Sequence, residues 1–255
     1  MKILVANDDG ITSKGLYSLA CNMKDLGKVF VVAPESNQSA IGHAITMHDP
    51  LRSKRVDYFG ADIDAWWVNG TPADCIKLGI ESLMKEKPDL IVSGINRGEN
   101  LGTDVLYSGT VSAAIEGCIF GVPSIAFSYE DFSAESFEAA GQIAAKIAEA
   151  AYKNGISENT VLNVNIPRFN SLEEIKGIKI TKLGVKIYKN NFEERLDPRG
   201  NTYYWLTGEL QESEIEENTD IEAIRNKYVS VTPIKIDLTD YEIIEKLKQW
   251  NLSIY

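Results

Sequence analysis

The sequence predicts an α/β fold: a mostly parallel sheet with helices on both faces. Two observations carry this. Short runs that are apolar at nearly every position (2–6, 28–33, 89–93, 124–128 and 162–166) alternate with stretches of helical periodicity. A strand that is apolar on both sides has to be covered on both sides, as in parallel sheets flanked by crossover helices. Ligands in such sheets bind at the carboxyl ends of the strands.

Each element has its own signal. The KILVA run at 2–6 is the first strand. Leu16, Leu19, Ala20 and Met23 recur at helical spacing and define a helix over 14–25. KVFVVA at 28–33 is the second strand, closed by Pro34. Thr71-Pro72 supplies an N-cap and a first-turn proline for a helix over 72–85. DLIVS at 89–93, SIAFS at 124–128 and LNVNI at 162–166 are further strands, the last ended by Pro167. Helices are expected over 109–120 and over the alanine-rich 134–153.

Residues 45–69 break this rhythm and predict a hairpin insertion with a Gly60-Ala61-Asp62 turn ahead of Ala65-Trp66-Trp67-Val68. Beyond residue 178 the pattern changes again. Strands are expected at 179–183, 202–206 and 228–233, and a last helix at 239–249. Between them runs an acidic stretch holding Glu209, Glu212, Glu214, Glu216, Glu217, Asp220 and Glu222, read as a solvated loop. The expected division is a catalytic domain over 1–177 and a C-terminal β-rich arm with a terminal helix over 178–255. An extension of this kind must bury its apolar residues somewhere, and a second subunit is the expected place.

Composition narrows the function. At 255 residues and 44% apolar, the chain can build a large core. The net charge of −11 disfavours a nucleic-acid polymer as partner. No run reaches the ~18–20 apolar residues of a membrane span, and the N-terminus lacks the pattern of a signal peptide, so a cytoplasmic protein with no membrane partner is expected. Cys21, Cys75 and Cys118 are widely spaced within helical stretches and read as free thiols. His43 and His48 are the only histidines, so a three-histidine zinc site is ruled out and a metal would take oxygen ligands.

Three loops carry candidate chemistry. Asn7-Asp8-Asp9-Gly10 follows the first strand. Two adjacent carboxylates repel unless a cation lies beside them, and hard oxygens suit Mg²⁺, Mn²⁺ or Ca²⁺. Taken alone, an aspartate pair capping a helix reads equally well. The loop after the second strand, 33–43, is rich in hydroxyl and amide oxygens (Ser36, Asn37, Gln38, Ser39) and by itself is an ordinary capped turn. The third loop, 93–110, has glycines at 94, 98, 102 and 109 and delivers Ser108-Gly109-Thr110 onto a helix start. Free backbone N–H groups and hydroxyls there make a phosphate cradle. It is neither a P-loop nor a dinucleotide fingerprint. Carboxylates, neutral oxygen ligands and a phosphate cradle at one sheet edge together suit metal-assisted phosphoester hydrolysis.

NDDGI at 7–11, APESNQSAIGHAIT at 33–46, GTPADCIKLG at 70–79, PDLIVSGINRGENLG from residue 88 and YSGTVSAAIEG ending at 117 closely resemble the stationary-phase survival protein SurE family. The resemblance implies a Rossmann-like domain and a metal-dependent phosphatase acting on nucleoside 5′-monophosphates and also 3′-monophosphates. It implies one divalent ion per subunit, Mg²⁺ or Mn²⁺, held by Asp8, Asp9, Ser39 and Asn96, with Asp8 and Asp9 also catalytic. It puts Asn37, Asn100, Ser108, Gly109 and Thr110 at the substrate phosphate, and His43 nearby without a catalytic role. It also implies a homodimer or homotetramer built through the C-terminal arm. Two rivals stand beside it. One is a non-enzymatic nucleotide or metal sensor, which would bind nucleotide without releasing phosphate. The other is a phosphatase acting mainly on short polyphosphate. Trp66, Trp67 and Tyr107 are candidates for stacking on a base.

Overall fold

The computed structural model describes residues 1–132, 136–210, 216–250 and 252–254. Residues 134–135 of the expected alanine-rich helix, and Glu212 and Glu214 of the acidic run, lie outside these.

The chain forms β1 (Lys2–Ala6), α1 (Lys14–Met23), β2 (Lys28–Pro34), β3 (Ser53–Val56), β4 (Asp64–Val68), α2 (Pro72–Leu78), β5 (Leu90–Arg97), α3 (Gly109–Ile119), β6 (Ser124–Tyr129), α4 (Glu138–Asn154), β7 (Thr160–Ile166), β8 (Ile178–Ile180), β9 (Tyr188–Leu196), β10 (Thr202–Leu210), α5 (Asp220–Arg225), β11 (Val229–Lys235) and α6 (Tyr241–Leu247). Nine strands make one sheet in the order β3-β4-β2-β1-β5-β6-β7-β11-β8. The run from β4 to β7 is parallel throughout.

Alternation within β1 shows how the layers form. Ile3 and Val5 pack with Leu16, Leu19, Ala20 and Met23 of α1 and Ala140, Ala144 and Ala148 of α4. Leu4 and Ala6 point the other way, to Cys75 and Ile76 of α2 and Ala113 of α3. Two helical layers thus seal both faces, as side chains alternating at period two require. Truncating a fully buried residue such as Leu19 to alanine would cost about 2–5 kcal/mol. Thr71 caps α2 in a capping box with Asp74, and Pro72 occupies its first turn, as the sequence predicts. The helix expected over 72–85 is α-helical to Leu78 and continues as one wider turn over Gly79–Leu83.

Two regions extend the main sheet. Within 45–69, β3 and β4 form an antiparallel hairpin, and β4 pairs in parallel with β2, so the hairpin extends the main sheet. In the C-terminal region, β8 and β11 join the same sheet, β11 pairing antiparallel with β7. Among the described residues, β9 and β10 stand apart as a two-stranded ribbon. Strand β9, with its charged YKNNFEERL sequence, has no apolar run to announce it. The acidic stretch is not all loop: Glu209 lies in β10, while Asp220 and Glu222 open α5. Thr219 caps this helix, and Glu222 pairs with Lys179 at 3.1 Å. Among the described residues, no helix is long and apolar enough to cross a membrane.

Candidate active site

The loops after β1, β2 and β5 meet at the carboxyl edge of the sheet. Asn7 is fully buried; its amide donates to Gly10 O (3.1 Å) and Ser13 Oγ (2.8 Å), which ties the Asp8-Asp9 turn to the start of α1. The loop after β2 is drawn alongside: Gln38 N donates to Asp8 O at 2.7 Å, and Ile11 N to Pro34 O at 2.8 Å.

Asp8 is buried against the N-terminus of α3. Thr110 Oγ1 donates to Asp8 Oδ1 at 2.5 Å. A Cβ on Gly109 would lie 2.8 Å from Asp8 Cβ, so only glycine lets the helix approach this closely. Burial, with the neighbouring charge of Asp9, pushes the Asp8 carboxyl up to about 6 against the opposing pull of Thr110. Burial also raises Asp9, partly offset by the Arg97 N–H and the charge of Arg97. Burial, more than the repulsion that the bare sequence poses, raises the two carboxyls.

Asp9 is poorly satisfied. Among the described residues its oxygens receive two long hydrogen bonds, from Asn37 Nδ2 at 3.5 Å and Arg97 N at 3.4 Å. Asn96 donates its amide to Gly98 O at 2.9 Å, which leaves its Oδ1 without a donor among the described residues. Asn96 reaches this edge because the β5–β6 register shifts between Ser93 and Asn96. At that shift Gly94 has φ +126°, and a Cβ there would sit 2.2 Å from Phe127 O. Ser39 follows Gln38, exposed; its N–H donates to Asn37 Oδ1 at 2.8 Å, and its hydroxyl bonds to nothing among the described residues. Two under-used carboxylates, a free amide oxygen and a free hydroxyl form a donor set of hard oxygens, which fits a divalent cation of the Mg²⁺ or Mn²⁺ type. Among the described residues no cluster of three or more His, Cys, Asp or Glu competes for that part.

Ser108 caps α3, its Oγ accepting from Val111 N at 3.1 Å, so the hydroxyl proton is left to donate. The Thr110 hydroxyl, beside Ser108 and Gly109 at the start of α3, is given to Asp8. Asn100 is buried, with its N–H given to Asn165 Oδ1 (2.8 Å) and its Nδ2 to Ser128 Oγ (2.9 Å). Its carbonyl accepts from both Asn163 (2.9 Å) and Asn165 (3.1 Å). These two asparagines, buried on β7, are residues that sequence reasoning passed over; the signal was Asn-Val-Asn inside an otherwise apolar strand. His43 Nε2 lies 2.7 Å from Glu116 Oε2, a buried carboxylate on α3 that also pairs with Lys77 at 3.1 Å. Trp66 and Trp67 are half-buried in the sheet, whereas Tyr107, next to Ser108, is 66% exposed.

A mostly parallel α/β sheet with paired aspartates at one strand end and a helix N-terminus beside them defines an α/β protein whose candidate site lies at the carboxyl edge of the sheet. Comparison makes the class specific. The model of the family described as Survival protein SurE matches residues 3–190. A protein of Alkaliphilus metalliredigens named 5′-nucleotidase SurE is 50% identical over 254 residues, covering 99% of this chain and all of that one. A protein of the same name from a Thermoanaerobacter species is 48% identical over the full length of both. The crystal structure of the SurE protein from Aquifex aeolicus superposes with a TM-score of 0.85 at 44% identity, covering 97% of this chain and 98% of the other. This chain belongs to the SurE family.

Proposed function

We propose that this protein is a cytoplasmic 5′-nucleotidase that hydrolyses the phosphomonoester of nucleoside 5′-monophosphates, and also accepts 3′-monophosphates. The observation that carries this reading is the burial of Asp8 against the N-terminus of α3, with half-buried Asp9 beside it at the same strand end. The relatives of nearly equal length that bear the name 5′-nucleotidase support it.

Asp8, Asp9, Ser39 and Asn96 would hold one Mg²⁺ or Mn²⁺ ion. When bound, such an ion withdraws charge from the phosphoryl group and makes water a stronger nucleophile at neutral pH. The chain supplies the rest. Ser108 donates its free hydroxyl proton, and the Gly109 N–H at the first turn of α3 adds a second donor to the phosphate oxygens. Thr110 locks the rotamer of Asp8. Asn37 donates to Asp9 and holds Ser39 through its backbone N–H. Asn100 frames the loop that presents Ser108. Asp9, the less hydrogen-bonded carboxylate, accepts the proton of the attacking water. Exposed Tyr107 offers its ring to the base. Self-association, as a dimer or tetramer, runs through the β9–β10 ribbon and the terminal segment.

The test is phosphate release from a panel of nucleoside 5′- and 3′-monophosphates, with Mg²⁺, with Mn²⁺ and with EDTA, beside the Asp8→Asn variant. Release that needs the cation and vanishes in the variant supports the reading. Nucleotide binding with no release in any condition refutes it.

A further inference from the structure

The loop that presents Ser108 is held at two ends by different parts of the chain. Its first half is pinned to the sheet through Asn100, Asn163 and Asn165. Its second half, the tight turn Gly102–Leu106, is held by a segment from far along the sequence. Lys186, whose side chain is only 9% exposed, reaches Asp104 Oδ2 at 2.8 Å and Glu99 Oε1 at 3.3 Å. The Lys186 carbonyl accepts from Thr103 Oγ1 at 3.0 Å. Tyr188 Oη donates to Asp104 Oδ2 at 3.0 Å. Buried Asp220 staples the two segments, accepting from Gly102 N and from Gly184 N at 2.8 Å each. The fit is close: a Cβ on Gly102 would lie 2.7 Å from Gly184 O. The Asp104 carbonyl in turn accepts from Tyr107 N at 3.0 Å, immediately before Ser108.

We infer that Lys186 is a positioning residue for the phosphate cradle. A buried ammonium persists only when its charge is matched, and here two carboxylates match it. Burial alone would lower its proton affinity; the hydrogen bond to Asp104 and the charge of Glu99 outweigh this and keep it protonated. Without the ammonium, Glu99 and Asp104, both within 3.3 Å of one nitrogen, are left as like charges on one loop with no cation between them. The turn then opens, and Ser108 and the Gly109 N–H lose their register on the phosphate. Tyr188 begins β9, so the segment holding the cradle runs directly into the ribbon. This inference rests on the phosphate reading of Ser108 and Gly109.

The experiment compares wild type, Lys186→Met, Lys186→Arg and Lys186→Met combined with Asp104→Asn. Steady-state hydrolysis of 5′-AMP gives KM and kcat, and calorimetric titration with orthophosphate in Mn²⁺ reads the cradle without turnover. The expected result for Lys186→Met is a KM raised about tenfold or more, kcat within about threefold, and orthophosphate affinity weakened by a like factor. Lys186→Arg and the Asp104→Asn combination should each recover part of the loss. Unchanged KM and orthophosphate affinity in Lys186→Met would overturn the inference, as would a fall confined to kcat. Should Lys186→Met not fold, Glu99→Gln combined with Asp104→Asn removes both carboxylates that the ammonium bridges, and a wild-type KM there overturns the inference equally. A wild type that binds orthophosphate but releases none from 5′-AMP would remove the nucleotidase reading alone. Weakened orthophosphate binding in the variants would still carry the positioning role.

Discussion

The hydroxyl of Thr110 stands 2.5 Å from Oδ1 of Asp8, so the second residue of α3 orients the first carboxylate of the site. A ligand that is itself hydrogen-bonded is held in one rotamer, and loss of such a partner typically costs about 10–100-fold in affinity or activity. Thr110→Val keeps the shape and removes the donor. We expect Mn²⁺ affinity and kcat/KM to fall within that range, with Thr110→Ser near wild type. Titration calorimetry and steady-state kinetics check this; a valine variant with wild-type values would place Thr110 outside the working site.

Asp8 itself gives a prediction on the metal-free protein. Its folded-state value of about 6 lies above the ordinary 3.8. Between those values the folded state holds more proton than the unfolded chain, so stability falls as pH rises through that window. The full penalty, at most roughly 3 kcal/mol, is present above pH ~6. Asp8→Asn removes the charge. In EDTA the variant should therefore be at least as stable as wild type at pH 8, with the advantage shrinking toward pH ~4. Urea unfolding across that range reads it directly. Adding Mn²⁺ should reverse the order, because only wild type gains from binding.

Much of this was legible in the sequence, for reasons that particular residues make plain. Ile3-Leu4-Val5-Ala6 had to be a doubly buried strand, and the Thr71-Pro72 start of α2 is written in local chemistry. The aspartate pair and Ser108-Gly109-Thr110 could be placed at one edge because parallel topology puts strand ends together. What stayed hidden depends on contacts between distant segments. The tie from Thr110 to Asp8 was not legible, because nothing local shows that Asp8 lies against it. Lys186 and Asp220 sat among charged residues of an apparently solvated region. Strand β9 pairs with β10, and its described side chains are exposed, so no buried face patterns its sequence.

Glu116 offers a pH test of the loop that carries Ser39. Burial pushes its carboxyl up, but hydrogen bonds from His43 and Lys77 outweigh this and leave it below the ordinary value of 4.5. A lowered folded-state value stabilises the fold above the ordinary carboxyl range, and that stability is lost as pH falls through the lower value. The same loop is latched by Gly42 N on Tyr107 O at 3.0 Å and Thr46 N on Asp74 at 3.1 Å. Glu116→Gln should cost about 1–3 kcal/mol at pH 7. The gap to wild type should close as pH falls from the ordinary 4.5 through the lowered folded-state value and Glu116 itself takes up a proton. Chemical denaturation at pH 7 and at the acid end of that range measures both ends. An equal gap at both would mean that shape, not charge, matters here.

The β9–β10 ribbon exposes Phe192 (67%), Tyr204 (58%), Trp205 (58%) and Leu206 (61%). Large side chains of this kind bury about 150–250 Å² each when covered, and an isolated two-stranded ribbon is marginal in water. Its nine-residue strands pair along their whole length, with no third strand beside them among the described residues. A second copy of the chain is the cover consistent with such a surface, since it would bring the same unpaired ribbon. Trp205→Lys combined with Leu206→Lys places two charges on that surface while leaving the nine-stranded sheet untouched. We expect size-exclusion chromatography with light scattering to show an oligomer for wild type and a monomer for the variant, with unchanged far-ultraviolet circular dichroism. A wild type that runs as a monomer would show that the ribbon is not a self-association surface. An oligomer that survives both substitutions would move the interface to the segment after α6, where Leu252 and Ile254 are 77% and 95% exposed.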